Sequence, residues 1–316
     1  MEYAALGSLS ASRIGFGCAA MGGFDYGPVD DEVSVAAVDE ALGGGINFFD
    51  VADVYGFGHA EEVLGRALSG RRHDAVIATK FGLGWDERGV RRDGSPAHIA
   101  RAVEDSLRRL RTDVVDLYQM HWPDPATPLA ETAGALARLR DAGKIREIGC
   151  CNFTLAQLQE LHALVPVATY QAPLNLLCRG IEEEVLPWCE ANGIRVLAHS
   201  VLARGYLAGR RGGSSFEAND TRPRSRYFAP ENAAEKERVA DAMAAAAANV
   251  GRSISNVAAR WVLDRGAAVA LIGMKTPAQV REHLGAAGWT LEGDAFAALT
   301  AVSTACPGVM SGELAR

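Results

Sequence analysis

Lysine is scarce in this sequence: four of its 32 basic side chains are lysine, at Lys80, Lys144, Lys236 and Lys275, and the rest are arginine. Where a bare surface charge suffices, this composition uses arginine. A retained lysine therefore points to a need for a compact ammonium with a titratable proton, which singles out Lys80 and Lys275. Cysteine is also sparse. Cys18, Cys150, Cys151, Cys178, Cys189 and Cys306 show no C-x-x-C spacing, so neither a zinc site nor a disulfide framework is indicated and buried reduced thiols are expected. No uncharged run reaches the ~18 residues of a membrane span, and the amino terminus lacks a basic segment followed by an apolar one. A soluble cytoplasmic protein is the expectation. Positive charge is in deficit overall, with a net charge of -7, which argues against nucleic acid and anionic membrane as partners.

What is present is a regular alternation of short apolar runs with longer amphipathic ones. The short runs show little polar alternation, as buried parallel strands do. They are Arg13 to Gly17, Ile46 to Asp50, Ala75 to Lys80, Val115 to His121, Ile145 to Cys151, Ala168 to Leu174, Arg195 to Ser200 and Val269 to Gly273. Helix-start signals stand between them: Asp30-Asp31-Glu32 before Val33 to Leu42, Ser95-Pro96 before Ile99 to Leu110, and Thr154 before Leu155 to Leu164. Gly43-Gly44-Gly45 and Ala142-Gly143 supply stops. Eight such units without a Pro/Gly/Ser-rich linker predict an α/β fold, a closed (β/α)8 TIM barrel forming one domain over residues 1–316. The stretch Gly205 to Pro230 is too polar and too rich in Gly, Pro and Arg for a regular element and reads as a mobile loop on the catalytic face. Asp294 to Thr304 reads as a closing helix.

Four reactive groups follow these runs: Asp50 and Tyr55 after the second, Lys80 after the third and His121 after the fourth. In a parallel barrel that register is the carboxyl end, where the chemistry sits. Their types suit reduction of a carbonyl by hydride, which develops alkoxide character and needs a proton donor. Tyr55 is the candidate donor. A nearby ammonium, Lys80, stabilises the phenolate and lowers the phenol pKa, Asp50 fixes the ammonium, and neutral His121 donates a second hydrogen bond to the substrate oxygen.

The motifs carrying these residues resemble the aldo-keto reductase superfamily over almost the whole chain. Asn47-Phe48-Phe49-Asp50 through Tyr55-Gly56 is similar to its first signature, Ala78-Thr79-Lys80 to its lysine strand, and Asp116 to Trp122 to its histidine strand. Gly143 to Phe153 resembles its G-K-I-R-x-I-G-x-S-N-F segment, and Tyr170-Gln171 its glutamine strand. The resemblance implies a catalytic tetrad of Asp50, Tyr55, Lys80 and His121. It further implies that Cys151, standing where serine is common, Asn152 and Gln171 meet the nicotinamide carboxamide of a cofactor. His199, where tyrosine is common, then stacks on the ring, and Ser200, Leu202 and Arg204 lie along the pyrophosphate. Ile272 to His283 resembles the adenosine-binding segment, with Gly273 in it, Lys275 and Thr276 near the ribose, and Gln279, Glu282 and His283 around the adenine end. Lys275 supplies a cation for a 2′-phosphate, so NADPH is the first expectation and NADH the alternative.

Gly15-Phe16-Gly17-Cys18-Ala19-Ala20 matches G-x-G-x-x-A, but Met21 to Pro28 does not continue as a helix, so the segment is read as a strand loop lining the site. Phe24, Tyr26, Trp85 and Trp122 each follow a strand end and are expected to wall the substrate pocket. Six arginines between Arg204 and Arg226 suggest an anionic ligand, part of which the cofactor pyrophosphate explains. The functional expectation is an NAD(P)H-dependent reductase of aldehydes or ketones acting on a small carbonyl or sugar substrate. The alternatives are a dehydrogenase oxidising a sugar or polyol with the same groups, and a redox-sensing regulatory subunit like the potassium-channel β subunits.

Overall fold

Residues 1–23, 26–210, 215–217, 220–291 and 293–306 are described by a computed structural model. Twelve strands occur among them: β1 (Tyr3–Leu6), β2 (Leu9–Ser12), β3 (Ile14–Gly17), β4 (Phe48–Asp50), β5 (Val76–Phe81), β6 (Leu83–Asp86), β7 (Gly89–Arg92), β8 (Val115–Met120), β9 (Ile145–Cys151), β10 (Thr169–Pro173), β11 (Arg195–His199) and β12 (Val269–Gly273). Eight of them, in the order β3-β4-β5-β8-β9-β10-β11-β12, close into a barrel in which every pairing is parallel. These eight coincide with the eight apolar runs, so the expected (β/α)8 architecture is the observed one.

Helices α1 (Asp31–Gly43), α2 (His59–Ala67), α3 (Pro96–Leu110), α4 (Leu129–Asp141), α5 (Leu155–Leu164), α6 (Val185–Ala191), α7 (Ala233–Val250), α8 (Ile254–Asp264), α9 (Pro277–Leu284) and α10 (Gly293–Thr304) connect or flank the strands. The start signals work as read. Asp30 accepts from the Glu32 and Val33 amides, Ser95 accepts from His98 ahead of Pro96, and Thr154 with Gln157 forms a capping box. None of the described helices is long and apolar enough to cross a membrane. All six cysteines are buried and free.

Two hairpins add to the expected elements. The β1–β2 hairpin seats Leu6, Leu9 and Ala11 against Phe48, Ala78, Leu117, Leu197, Val269 and Leu271, inward side chains of the barrel. The amino end of the barrel is thereby plugged with hydrocarbon. The β6–β7 hairpin rises from the opposite end just after β5. Since side chains alternate across a strand, the next inward position above each apolar layer is fixed. On β4 it is Asp50, two residues past Phe48; on β5 it is Lys80, past Ala78; on β8 it is Gln119, past Leu117; on β11 it is His199, past Leu197. A hydrocarbon floor thus carries a polar layer on its carboxyl side.

Between Gly205 and Pro230 the described chain holds a 3-10 turn (Ala203–Ala208) and a second (Arg222–Arg224) and is otherwise irregular. Gly15 to Ala20 runs from β3 into a 3-10 turn (Cys18–Gly22), and Gly17, Ala19 and Ala20 line the central cavity. That is the strand-loop role expected of it.

Candidate active site

Lys80 is fully buried, and its ammonium donates to Asp50 Oδ1 at 2.6 Å and to the Val51 carbonyl at 2.9 Å. Such a charge tolerates burial only when paired and hydrogen-bonded. Burial pulls the Lys80 pKa down, but the Asp50 carboxylate more than offsets it, with Tyr55 and Cys151 acting the same way, so the group is held well above its ordinary value. It is an ammonium at any working pH. Asp50 Oδ2 accepts from Gln171 Nε2 at 2.7 Å and from Gln119 Nε2 at 3.2 Å.

Tyr55 lies in the turn between β4 and α2, with the Lys80 nitrogen 5.1 Å from its ring centroid. The His121 ring meets it edge-on, the centroids 5.9 Å apart. The four groups that the sequence placed at strand ends therefore do converge. One expectation needs correcting: the phenol pKa is not lowered. Burial pushes Tyr55 above its ordinary value, and the downward pull of Lys80 does not overcome it. The phenol is consequently kept as an acid, with the ammonium ready to stabilise charge as it develops. Burial, Lys80 and His199 hold His121 well below its usual pKa, so its imidazole is neutral. Among the described residues nothing pairs with its buried Nδ1.

The turn reaches this position because two glycines allow it. Gly56 has φ +60°, and a Cβ there would lie 2.4 Å from the Gly22 carbonyl oxygen. The Tyr55 turn is thus pressed directly against the loop after β3.

A cavity of about 520 Å³ opens over these groups and runs across the barrel mouth to α9. Asp50, Tyr55, His121, Trp122, Asn152, Gln171 and His199 line one end. Ser200, Leu202, Arg204, Arg210 and Arg222 line its middle, and Gly273, Lys275, Gln279, Glu282 and His283 the other end. Asn152 donates to the His121 carbonyl at 3.0 Å and sits at φ +60°, while Ser200, Ala203 and Arg204 also occupy left-handed backbone. Non-glycine residues in that region cluster where a ligand clamp over-determines the chain. His199 holds the Ser200 hydroxyl at 3.0 Å through Nδ1; burial, Lys80 and Arg204 push its pKa down to about 3.

Lys275 reaches the Tyr26 carbonyl, and the Arg204 and Arg222 guanidinium groups lie 5.6 and 5.7 Å from the Tyr26 ring centroid. Burial first, then Arg222 and Arg210, lower the Lys275 pKa against an upward pull from Asp220. Arg222 is partly neutralised by Asp220, whose oxygens accept from its Nε at 2.9 Å.

Four of the described candidates do not line the cavity, and one of them, Lys80, lies fully buried in its ion pair with Asp50. Cys151 is buried with its thiol donating to Gln119 Oε1 at 3.8 Å, and Thr276 caps α9 by accepting from the Gln279 amide. Trp85 stands on the β6–β7 hairpin packed on Phe57, ring centroids 6.0 Å apart. Phe24 lies outside the described residues, as does Arg211 of the basic loop. Conversely, Gln119 was passed over by sequence reasoning. Its signal was available: two residues past inward Leu117 and two before His121, it must share their face.

The arrangement can protonate an oxygen and hold a long anionic ligand. A model of the Aldo/keto reductase family matches residues 13–304. Aldo-keto reductase YhdN of Bacillus subtilis is 39% identical over 307 residues, 93% of this chain and 91% of that protein. The solved glycerol dehydrogenase AKR11B4 of Gluconobacter oxydans is 39% identical with a TM-score of 0.87, over 98% of this chain and 95% of that one. An aldo/keto reductase of Klebsiella pneumoniae, solved with NADP and acetate, is 28% identical with a TM-score of 0.73, over 93% of this chain and 92% of that one. With the buried ion pair, the phenol and the imidazole converging under one cavity, this chain belongs to the aldo/keto reductase family of oxidoreductase enzymes.

Proposed function

We propose that this protein, acting as one domain, reduces an aldehyde or ketone to an alcohol with NADPH. The observation that carries the reading is the Tyr55 phenol, kept protonated between the Lys80 ammonium and neutral His121, at one end of a cavity also lined by Arg204, Arg210, Arg222 and Lys275. The residues present suit a dinucleotide phosphate. Arg204, Arg210, Arg222 and Lys275 face the same cavity as the two amides of Asn152 and Gln171, and no described group pairs with the buried His283 Nδ1. Gln171 uses Nε2 on Asp50, which leaves its carbonyl oxygen for a carboxamide N–H; Asn152 offers the complementary amide, and uncharged His199 a flat face. Ser200, Leu202 and Arg204 flank the pyrophosphate, Lys275 meets a 2′-phosphate, and Gln279, Glu282 and His283 surround the adenine. The solved complex of the Klebsiella relative with NADP supports this reading.

When bound, the reduced nicotinamide supplies the hydride. Tyr55 donates its hydroxyl proton to the carbonyl oxygen, and Lys80 stabilises the phenolate left behind. His121 donates a hydrogen bond that orients the same oxygen and stabilises its growing charge. Trp122, with the Arg92 guanidinium 5.2 Å from its ring centroid, walls the substrate side. In this reading Arg204, Arg210 and Arg222 of the basic loop serve the cofactor phosphates.

The 39% identity to a glycerol dehydrogenase favours a second reading, oxidation of a polyol by the same residues with Tyr55 as the base. A panel of aldehydes, ketones, sugars and polyols with NADPH, NADH and their oxidised forms, followed at the nicotinamide absorbance, separates the two. Faster carbonyl reduction with NADPH is expected. Turnover of polyols alone selects the second reading, and no turnover of either class removes both.

A further inference from the structure

Asp50 must present its charge to Lys80 in one orientation, and a carboxylate held at one oxygen only is free to rotate. Its Oδ1 is taken by the ammonium. The other oxygen, Oδ2, faces two amide donors, Gln171 from β10 and Gln119 from β8. Gln171 borders the cavity and is given to the cofactor in the reading above. Gln119 does not border it: its side chain is fully buried in the polar layer beside Asp50 and Lys80.

Four neighbours fix the Gln119 amide. Lys80 is its register partner on β5, and Gly149 is its partner on β9. A Cβ on Gly149 would stand 2.9 Å from Gln119 Cγ, so the absent side chain makes the room in which Gln119 lies. Its Oε1 accepts from Cys151 Sγ at 3.8 Å and from Gln171 Nε2 at 3.3 Å. With the oxygen claimed by two donors, the nitrogen must face Asp50. A buried primary amide whose ends are both assigned is a directional device, since turning it over would leave buried donors and acceptors unmet.

We infer that Gln119 is a positioning residue for the reaction: by holding Asp50 Oδ2 it sets the Lys80 ammonium beneath Tyr55, and the Cys151 thiol sets Gln119 in turn. The inference rests on the proposed proton-donor role of Tyr55. It predicts that the shape of Gln119 does not suffice without its N–H.

The test uses the full-length enzyme with Gln119→Met, which keeps length and volume but removes both ends of the amide, and Gln119→Glu, which can donate to Asp50 only while protonated. The charged or titratable groups around the position are Asp50, Lys80, Tyr55, His121 and Cys151, so a new carboxyl there shares a proton with Asp50 and titrates above its ordinary range. Gln119→Met should lower kcat on the order of 10-fold to 100-fold, the scale of a small misplacement of a reacting group. The substrate KM, and the NADPH Kd read from quenching of protein fluorescence, should stay within about threefold. Gln119→Glu should keep near wild-type kcat at low pH and lose it as pH rises, an ionisation absent from wild type and from Gln119→Met. Wild-type kcat in Gln119→Met, or a Gln119→Glu profile without the added ionisation, overturns the inference. If Gln119→Met does not fold, the Gln119→Glu profile decides alone. Normal turnover in Gln119→Met beside a dead Tyr55→Phe enzyme removes only the role of Gln119, whereas an inactive wild type removes the proposed reaction.

Discussion

The Lys80 ammonium and the Asp50 carboxylate meet at 2.6 Å with their side chains 0% and 6% exposed, so neither charge has water to fall back on. Lys80→Met should therefore leave Asp50 buried without its cation, a loss of about 3–5 kcal/mol for a broken buried pair. Thermal unfolding should show a clearly lowered Tm that adding Asp50→Asn partly restores. An unchanged Tm in the single variant would show that the pair does not stabilise the fold.

Gly56 gives a second expectation. Its φ is +60°, and a methyl group there would come within 2.4 Å of the Gly22 carbonyl oxygen, so Gly56→Ala must push the two loops apart. The cost should be about 1–3 kcal/mol of stability together with a kcat loss exceeding about tenfold, because Tyr55 is the adjacent residue. Steady-state kinetics beside a thermal melt check it, and unchanged kcat would mean the loop contact does not place the phenol.

A pH effect follows from the imidazoles. His199 titrates at about 3 in the fold and His121 is also depressed, against about 6.5 when unfolded. The unfolded chain therefore binds more protons than the native one once pH drops below that value, and stability falls as acid is added. The contribution is complete above about pH 6.5 and is lost progressively toward the folded values. Melting temperatures between about pH 7 and pH 5 should decline for wild type and decline less for His199→Phe. Parallel slopes for the two proteins would count against a neutral buried His199.

Lys275 lines the same cavity as Arg204, Arg210 and Arg222, and Arg222 and Arg210 are near enough to act on its charge. Lys275→Ala should weaken NADPH binding by about 10-fold to 100-fold, the worth of one or two charge-assisted contacts, and NADH by less than about threefold. Fluorescence titration with both cofactors measures this. Equal weakening would assign the lysine to another part of the ligand.

The barrel was legible because β5, β8, β9 and β12 are mostly buried and read as short, predominantly apolar runs bounded by caps and glycines. The convergence of Asp50, Tyr55, Lys80 and His121 was legible because strand order puts all of them at the carboxyl ends of neighbouring barrel strands. The hairpins were not. All four residues of β7 are exposed, and β1 and β2 are four-residue strands that pair only with each other, too short to stand out as elements. Direction was the other blind spot. Cys151 and Asn152 are adjacent, yet one points into the Gln119 network and the other lines the cavity, and Trp85 is carried off by a hairpin whose existence its neighbours do not announce. The sign of the Tyr55 shift escaped for a related reason: Lys80 is visible in the sequence, while the burial that outweighs it is a property of the closed cavity.

The central claim is that the Tyr55 hydroxyl delivers the proton, and Tyr55→Phe tests it most directly. The variant should bind NADPH within about threefold of wild type, since the phenol acts at the transition state, while kcat for carbonyl reduction falls on the order of 100-fold to 10,000-fold. A Tyr55→Phe enzyme with near-normal kcat would contradict the account.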